Sequence, residues 1–519
     1  MYATISRWIV STKASLHLLS LAAVLLGAVL VLAHRSSSRL RGANAAQPRP
    51  SGRPLPGPRS WPLVGSIPAI VWYTKHYGHR AFTEIARRHG AVFGLRLAPG
   101  QLLVVLNDRS SIREAFVKQA ARMNNRHLQG LVKVSFPVQG SLAWENGEIW
   151  AARRKFILRA FRTLGFSKSG ILGQRIQEEA AALCRSIDKY GGSPFDPQHL
   201  LECATSNLFC AIALGDRYEY ESPTLHSLVR NSKIVLDNLS AVSIGNCLPF
   251  LYHTPVCREY RDAVTGLTDF IRDLVDQHKV TYNNCNRPRD VVDLYLAEVS
   301  RRQEEGEGLK FEEEDVWRSM LDILIAGSFS TATHVLWTLL FITQYKSVQQ
   351  RIHDEIDSAI GRDRLPSLDD SPLLPYTRAT LFEIQRCRIA TVSVPHLASE
   401  DAAVGGCLIP KGAQVLANFW ALHHDPREWK EPELFDPCRF LSKDESAVIM
   451  TENFMPFGVG PRMCPGEQFA KHQAFLIFAS IMQRYRLTIS PTDPTPDLEG
   501  AVCGPALHPE AFRICAQLR

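Results

Sequence analysis

The fold is decided by one stretch near the C-terminal end of the chain, Phe457-Gly458-Val459-Gly460-Pro461-Arg462-Met463-Cys464-Pro465-Gly466. A cysteine stands just before residues 467–485, which have helical periodicity. Pro465 suits the first helical position, because its missing N–H would have no partner there. The positive helix end and Arg462 predict a lowered pKa for the Cys464 thiol. A rigid thiolate of this kind is a metal ligand or a nucleophile, and the glycines favour a flat macrocycle beside the backbone.

The spacing Phe457-x-x-Gly460-x-Arg462-x-Cys464-x-Gly466 resembles the haem-binding loop of the cytochrome P450 family. The resemblance implies that Cys464 is the proximal iron ligand and that Arg462 contacts a haem propionate. It also places Phe457 among the cofactor contacts. A ten-residue pattern is far more specific than a lone CxxC. The alternative is a buried free cysteine in a glycine-rich turn.

The composition is that of a globular protein with a mild basic excess. The 519 residues are 45% hydrophobic, and 59 Lys and Arg against 52 Asp and Glu give a net charge of +7. This excess is too small for a nucleic-acid partner, and no basic–aromatic cluster or zinc-finger spacing supports one. Twelve cysteines are scattered without CxxC pairs. They indicate buried thiols in a reducing compartment, with one of them doing chemistry.

An apolar run at residues 16–33 predicts a membrane anchor. As a helix the run would rise about 27 Å, close to the hydrocarbon thickness of a bilayer. The flanking basic residues are Arg7 and Lys13 before it and His34, Arg35, Arg39 and Arg41 after it. This asymmetry predicts that the chain after the run lies in the cytosol. The resemblance implies that the membrane is that of the endoplasmic reticulum, crossed once, with the catalytic domain on the cytosolic side. The alternatives are a cleaved secretory signal, which would carry the thiols into an oxidising lumen, and a mitochondrial transit peptide, which needs amphipathic spacing.

Residues 42–66 are rich in proline and glycine and predict a hinge between the anchor and the globular part. A semi-rigid spacer and a disordered linker fit this composition equally. Residues 91–107 contain two β-rich runs around Pro99-Gly100, which predict a hairpin. Short β-like runs at 404–409 and 414–418 flank the turn Pro410-Lys411-Gly412. Most of residues 110–345 have helical periodicity, so the fold is predicted to be mainly α with a small β region.

Trp150 and Arg154 are four residues apart and share one face of a predicted helix. In the cytochrome P450 family a Trp-x-x-x-Arg pair reaches the haem propionates, and the resemblance implies this role for both residues. It also implies a propionate contact for Arg126. Without the resemblance, the pair fits a cation–π contact on a surface helix equally well. The other cations of this helix, with Lys471 and His472, form either a docking face for an acidic flavoprotein reductase or an ordinary solvated face.

Residues 316–344 predict a long buried helix, because they are apolar nearly all round. The middle of this helix, Ala326-Gly327-Ser328-Phe329-Ser330-Thr331, is similar to the distal helix of the family, usually Ala-Gly-x-acid-Thr-Thr. The resemblance implies that the hydroxyls of Ser330 and Thr331 supply protons to dioxygen. Phe329 stands in place of the acid and carries no proton, and Asp322 lies about 10 Å away along the helix axis. Two alternatives follow: protons come from water or substrate hydroxyls, or the enzyme rearranges a peroxide without dioxygen or reductase.

Glu383 and Arg386 form an ExxR pair on a helix that is predicted to begin near Tyr376. In isolation such a pair is usually a surface ion pair. The family's motif order implies instead that both residues form a buried charge triad with Arg439. The stretch Val394-Pro395-His396 resembles a loop in which the histidine meets a propionate. A lone histidine is equally often a hydrogen-bonded loop residue.

The resemblance extends from about Pro54 to the C-terminus. It implies a mainly α (α+β) cytochrome P450 fold, a helical bundle with a small β-rich lobe, preceded by an N-terminal anchor helix. This overrides the two or three domains that length alone suggests. We therefore divide the chain into an N-terminal segment, 1–41, a proline-rich hinge, 42–66, and a haem-binding catalytic domain, 67–519.

The implied function is that of a haem-thiolate monooxygenase that binds haem b, with Cys464 as the metal ligand. Electrons would come from NADPH through NADPH–cytochrome P450 reductase, and one atom of O2 would enter a lipophilic substrate such as a steroid, a fatty acid or a xenobiotic. The loss of the acid at Phe329 suggests two other functions. One is an isomerase or dehydratase acting on a lipid peroxide, and the other is a haem-binding protein without turnover.

Overall fold

A computed structural model describes residues 52–519 apart from 63, 99–100, 129, 166–170, 239–248, 283–287, 307–310, 390–393 and 504–506. The predicted anchor, residues 16–33, and the predicted hinge as far as residue 51 lie outside the described residues.

Helices form most of the described chain, which confirms the mainly α prediction. The α-helices are Ile67–Tyr77, Ala81–His89, Arg109–Arg113, Ala120–Met123, Gly130–Ser135, Gly147–Thr163, Ile171–Asp188, Pro197–Phe209, Pro223–Asp237, Arg258–Thr281, Val291–Glu305, Glu314–Gln344, Lys346–Ala359, Pro375–Cys387, Phe419–His423 and Glu467–Arg484. Single turns of tighter or wider helix are Gly78–Arg80, Glu114–Lys118, Cys210–Leu214, Pro249–His253, Pro255–Cys257, Leu368–Leu373 and Pro437–Phe440.

The helix Glu314–Gln344, here called the central helix, runs through the core of the protein. Among the described residues it is the one helix long and apolar enough to cross a membrane. Its residues are buried on nearly all sides, so this apolar character reflects its place inside the fold. It packs against the helix Pro197–Phe209 and against the helix Glu467–Arg484, which we call the Cys464 helix. The long buried helix predicted from residues 316–344 is therefore confirmed.

The β-strands of the described chain are β1 Val92–Ala98, β2 Gln101–Leu106, β3 His396–Leu397, β4 Ala402–Val404, β5 Cys407–Ile409, β6 Gln414–Ala417, β7 Tyr485–Ile489, β8 Ala501–Cys503, β9 Leu507–Pro509 and β10 Ile514–Leu518. The pair β7–β10 packs against the helical core, and the other strands make up a small β lobe. The order β1-β2-β6-β3 forms a four-stranded sheet in which β1 and β2 are the predicted hairpin.

The β-like run at residues 404–409 is not one strand. It divides into the end of β4 and the whole of β5, which pair antiparallel around Gly405 and Gly406. Both glycines have positive φ, 56° and 72°, which suits a tight reversal of the chain. The single-run interpretation was wrong because it ignored the turn signal of two adjacent glycines.

The described part of the predicted hinge packs along the β lobe. Arg53 pairs with β5, donating its N–H to Gly406 O at 3.0 Å and accepting from Leu408 N at 2.9 Å. Further along, Gly94 N donates to Pro56 O at 2.8 Å. A Cβ at Gly57 would lie 2.2 Å from the carbonyl oxygen of Gly94, so the two backbones approach closely. From Arg53 onward the described part of this segment is thus attached to the β lobe by backbone hydrogen bonds.

The predicted charge triad is buried where the helix Pro375–Cys387 meets the turn Pro437–Phe440. Arg386 Nε and Nη2 donate to the two oxygens of Glu383 at 2.7 and 2.8 Å. Arg439 Nε donates to Glu383 Oε1 at 3.2 Å. The side chains of Glu383 and Arg386 are fully buried, which confirms the triad over the surface ion pair. The triad joins the segments that precede the Cys464 loop.

Candidate active site

The Cys464 loop, residues 457–466, is fixed by short backbone hydrogen bonds. Cys464 N donates to Phe457 O at 2.9 Å, and Met463 N donates to Gly460 O at 3.0 Å. Gly460 has a φ of 79°, and a Cβ there would lie 2.0 Å from Phe116 O. The contact that requires glycine at this position is therefore a protein carbonyl, whereas the sequence suggested a macrocycle.

The helix that follows the loop begins at Glu467, with Gly466 as its N-cap residue. Pro465 therefore precedes the cap, and the prediction that it occupies the first helical position is wrong by two residues. Helix starts are the least certain feature of a sequence pattern, because proline also fits a tight turn before a helix.

The thiol of Cys464 opens onto a cavity and is otherwise enclosed by protein. Burial raises its pKa, and the Glu467 carboxylate adds to this, while a hydrogen bond from the Gly466 backbone and the charge of Arg154 lower the pKa. The prediction that the helix end and Arg462 lower the pKa of Cys464 is therefore wrong for the protein alone. Burial destabilises the thiolate by more than the Gly466 hydrogen bond and the charge of Arg154 stabilise it. A bound cation would reverse this balance.

Arg462 is held by backbone groups of distant segments. Its Nε donates to Asn124 O at 2.8 Å, and its Nη2 donates to Glu145 O at 2.6 Å and to Asn146 Oδ1 at 3.0 Å. The guanidinium lies 3.5 Å from the centre of the Trp150 ring. Its Nη1 is buried and has no hydrogen-bond partner in the described structure. One edge of the guanidinium therefore stays available to an acceptor.

Two more guanidiniums lie on the same cavity wall. Arg126 Nη1 donates to Pro395 O at 2.7 Å and also to Val394 O, and Arg154 Nη2 donates to Met463 O. These partners are neutral carbonyls. Within the described ranges, none of Arg126, Arg154 and Arg462 forms an ion pair with a carboxylate.

The pKa values of Arg126 and Arg462 are lowered, as expected for guanidiniums that are removed from water without a carboxylate partner. Burial lowers the pKa of Arg126 to about 9. Burial, together with the charges of Arg126 and Arg154, lowers the pKa of Arg462 to about 9, against a smaller opposing effect of Glu145. Because buried guanidiniums normally have anionic partners, this cluster fits a ligand with carboxylates.

Trp150 and His396 complete this wall. The indole Nε1 of Trp150 donates to Leu142 O at 3.2 Å. His396 Nδ1 lies 2.7 Å from Met123 O, so this nitrogen carries a proton. Burial, followed by the charge of Arg126, holds the pKa of His396 well below its usual value, so the ring is neutral at pH 7. The ring stacks on Phe116 with centroids 4.0 Å apart.

The opposite wall is the middle of the central helix. Ser330 Oγ donates to Ala326 O at 2.9 Å, one helical turn earlier. Thr331 is 4% exposed, and Phe329, in the place of the expected acid, is 1% exposed and belongs to the apolar core. Gly327 leaves the backbone open, since a Cβ there would have no neighbour within 4 Å.

Asp322 has a structural role that the sequence did not predict. Its Oδ2 accepts from Ser141 Oγ at 2.6 Å and from Ala143 N at 3.0 Å, and its Oδ1 accepts from Arg318. The carboxylate thus fixes the loop 141–143 to the central helix. With these partners it does not replace the missing acid.

Other residues on the cavity were missed from the sequence. His334, one helical turn after Ser330, is 7% exposed and its Nδ1 has no hydrogen-bond partner in the described structure. The spacing of four residues was the signal that could have identified it. Phe116 contacts both Gly460 and His396, and no local pattern marks it.

All of these groups meet in one cavity of about 640 Å³, a size within the range of small-molecule and cofactor sites. The predicted site residues on its wall are Arg126, Trp150, Arg154, Ser330, Thr331, His396, Phe457, Arg462 and Cys464. A thiol, a hydroxyl-bearing helix and a cluster of cations without carboxylate partners among the described residues therefore share one cavity.

Comparison with known proteins decides the family. Residues 55–516 match the family model for cytochrome P450. The chain belongs to the cytochrome P450 family. It is 33% identical to cytochrome P450 2U1 of Rattus norvegicus, over 89% of this chain and 90% of that protein. It is 32% identical to cytochrome P450 2J1 of Oryctolagus cuniculus, over 90% and 92% of the two chains, and 31% identical to cytochrome P450 2B2 of Rattus norvegicus, over 97% and 99%.

As a cytochrome P450, the protein is a haem-dependent monooxygenase, an oxidoreductase that takes O2, a lipophilic substrate and electrons from a redox partner. The cavity fits the cofactor of this family on its own geometry. Among the residues that the structure describes, it offers the Cys464 thiol for iron, and its wall holds cations that lack carboxylate partners, including Arg462, whose Nη1 has no hydrogen-bond partner.

Proposed function

We propose that this cytochrome P450 binds haem b in the cavity, with Cys464 Sγ as the iron ligand and Phe457 beside it. Arg126, Arg154 and Arg462 would hold the two propionates. Trp150, whose Nε1–H is donated to Leu142 O, would contribute by stacking on the Arg462 guanidinium. His396, whose Nδ1–H is donated to Met123 O, would donate to a propionate from Nε2 only as the imidazolium that an adjacent carboxylate favours. The observation that carries this proposal is the guanidinium cluster, which has no carboxylate partners among the described residues and lies on the same cavity as the thiol of Cys464. Bound haem supplies the activation of O2 from which one oxygen atom is inserted into the substrate.

The chain's own residues orient the cofactor and shield it from water. The backbone hydrogen bonds of residues 457–466 fix the thiol, and the close contact of Gly460 with Phe116 sets the position of the loop. On the opposite wall, the open backbone at Gly327 leaves space beside Ser330 for small molecules.

The substrate is proposed to be lipophilic, a steroid, a fatty acid or a xenobiotic, because much of the cavity wall is apolar. Its aliphatic and aromatic members include Leu142, Phe209, Leu236, Ile323 and Ile325. An apolar wall binds such molecules by removing their surface from water and keeps water away from the reacting centre.

Proton supply is proposed to run through the hydroxyls of Ser330 and Thr331 and through water. Phe329 is buried in the core and carries no exchangeable proton. Ser330 donates its O–H to Ala326 O, so its Oγ would accept a hydrogen bond from water, and the hydroxyl would have to rotate away from this carbonyl to pass its own proton on while it takes one from the water.

We further propose that electrons come from NADPH through NADPH–cytochrome P450 reductase, a flavoprotein with an acidic docking face. Lys155 and Arg162 are exposed on the helix that carries Trp150 and are suited to such a partner. Arg159, between them, is paired with Glu298 at 2.9 Å and contributes less.

For localisation, we propose a single-pass protein of the endoplasmic reticulum membrane, anchored by residues 16–33 within the segment 1–41, with residues 67–519 in the cytosol. The hinge, 42–66, would connect the two. Protease protection of an epitope placed before residue 16, and not of one placed at the C-terminus, is the expected result in sealed microsomes.

The haem-thiolate assignment is tested by spectroscopy of the reduced, carbon-monoxide-bound protein. The wild type is expected to show the long-wavelength Soret band of a thiolate-ligated haem. Cys464→Ser should lose this band, whereas Cys438→Ser, at an exposed thiol away from the cavity, should keep it. A spectrum of a nitrogen-ligated haem in the wild type contradicts the proposal.

Turnover is tested with NADPH and purified reductase against a panel of steroids and fatty acids. Product that requires both NADPH and reductase supports the proposed route. Conversion of a fatty-acid hydroperoxide without reductase would instead support the isomerase or dehydratase reaction that Phe329 suggests.

The proton route is tested with Phe329→Glu, which restores an acid at this position. We expect a changed ratio of hydrogen peroxide released to NADPH consumed. An unchanged ratio places residue 329 off the proton path.

A further inference from the structure

Asn146 occupies the N-cap position of the helix Gly147–Thr163, which carries Trp150 and Arg154. Its backbone is extended, with φ −129° and ψ 170°, as is usual for a cap. Asparagine at this position normally accepts a hydrogen bond from the first turn of the helix. Here its side chain makes no capping hydrogen bond. The Asn146 amide therefore forms its hydrogen bonds outside this helix.

The amide of Asn146 bridges two arginines of the cavity wall. Its Oδ1 accepts from Arg126 N at 2.7 Å and from Arg462 Nη2 at 3.0 Å. Its Nδ2 donates to Arg126 O at 2.9 Å. An amide oxygen has two lone pairs, so both are used here. One side chain thus joins the backbone of the Arg126 segment to the guanidinium of Arg462.

This bridge sets the orientation of the Arg462 guanidinium. With Nε on Asn124 O and Nη2 on Glu145 O and Asn146 Oδ1, only Nη1 has no partner. A planar guanidinium that is fixed at two nitrogens has its third nitrogen fixed as well. Nη1 is therefore held in place before any acceptor arrives, which lowers the ordering cost of binding.

We propose that Asn146 is a positioning residue for the cofactor. It sets the Arg126 backbone and the Arg462 guanidinium relative to each other, so that the two cations meet the two carboxylates of the haem. The proposal rests on the haem site proposed above. It assigns the amide a role in cofactor retention and electrostatics, in place of the helix capping that its position predicts.

The test uses two substitutions of Asn146 and a matched control. Asn146→Ala removes all three hydrogen bonds. Asn146→Ser restores a strong capping residue but is too short to bridge the arginines. The control is Asn207→Ala, which also removes three amide hydrogen bonds, to the Tyr218 backbone and to Glu179, at a buried position away from the cavity.

The first measurement is the rate of haem loss from the holoprotein to an excess of a haem-scavenging apoprotein. We expect about tenfold faster loss for Asn146→Ala and Asn146→Ser, equivalent to about 1.4 kcal/mol, because both variants lose the hydrogen bonds that join the two arginine segments. We expect less than a twofold change for Asn207→Ala. The second measurement is the midpoint potential of the haem iron, which should fall in both Asn146 variants, because displaced guanidiniums compensate the propionate charge less well. It should not move in the control.

A double-mutant cycle separates positioning from general loosening. In an Arg462→Gln background, the effect of Asn146→Ala on haem loss should shrink, because the two residues act together. Rescue of haem retention by Asn146→Ser would show that Asn146 is only a cap and would overturn the proposal. Equal effects of Asn146→Ala and Asn207→Ala, or an unchanged potential, would also overturn it. If the wild type itself takes up no haem, the proposed haem site fails and the role of Asn146 falls with it, whereas a wild type that binds haem with variants that behave like the control overturns the role of Asn146 alone.

Discussion

The first prediction concerns how much the buried triad of Glu383, Arg386 and Arg439 contributes to the free energy of unfolding. Glu383 accepts five hydrogen bonds: two from Arg386, one from Arg439 Nε at 3.2 Å, one from Asp436 N at 3.0 Å and a weaker one from Cys387 Sγ at 3.7 Å. Glu383→Gln keeps the shape of the side chain but removes its charge. The new NH2 group must then face one of these donors, and Arg386 remains fully buried without its counter-ion.

Breaking a buried ion pair by removing one partner costs about 3–5 kcal/mol, so we expect a loss of that size in the free energy of unfolding. Arg386 keeps hydrogen bonds to His423 O at 2.9 Å and Pro432 O at 2.8 Å, which hold the group in place without neutralising it. The loss should therefore be nearly independent of salt, since the site is shielded from solvent.

The assay is urea-induced unfolding followed by tryptophan fluorescence at two salt concentrations. The control is Glu445→Gln, which breaks the exposed ion pair with Arg351, and should cost less than about 1 kcal/mol. A loss below about 1 kcal/mol for Glu383→Gln, or a loss equal to that of the control, would refute the reasoning that the triad is a desolvated unit.

Two further predictions concern pH and backbone space. Burial lowers the pKa of His278, but the hydrogen bond to Asp290 at 2.8 Å and its charge outweigh this and raise the pKa. The pair's stabilisation is thus fully present below pH 6.5, the usual histidine value, and is lost as pH rises through the folded-state pKa. Unfolding free energies measured from about pH 6 to pH 9 should decline less in His278→Gln than in the wild type. Separately, Gly460→Ala should abolish haem uptake, because its Cβ meets Phe116 O at 2.0 Å, while Gly458→Ala, with the same φ of 79° but a nearest contact of 3.9 Å, should cost only about 1–2 kcal/mol of unfolding free energy and retain haem.

Much of the fold could be predicted because its signals are local. The central helix follows from an unbroken apolar stretch, and the β1–β2 hairpin follows from β-rich runs around Pro99-Gly100. The family's motif spacing then located residues that are far apart in sequence, such as Trp150 and Cys464, on one cavity. Local periodicity therefore predicts the helices and strands, and the order of the family's motifs predicts which of them contact the cavity.

The features of the site that the sequence did not predict depend on contacts between distant segments, which a single sequence does not reveal. The amide of Asn146 looks like an ordinary helix cap until the Arg126 and Arg462 segments are folded against it. The requirement for glycine at position 460 comes from a carbonyl more than three hundred residues earlier. The pKa of Cys464 depends on how completely the fold encloses the thiol, and neighbouring charges alone gave the wrong direction.

The three positive charges of Arg126, Arg154 and Arg462 affect the stability of the newly synthesised protein before it binds a ligand. Without a ligand, burial lowers the pKa of Arg126 to about 9, and burial with the charges of Arg126 and Arg154 lowers that of Arg462 to about 9, against only a small opposing effect of Glu145. A ligand that neutralises them only in the folded state adds its binding free energy to folding. Cellular abundance of this protein should therefore follow the supply of haem, because chains that fold when haem is scarce open more often and are degraded sooner.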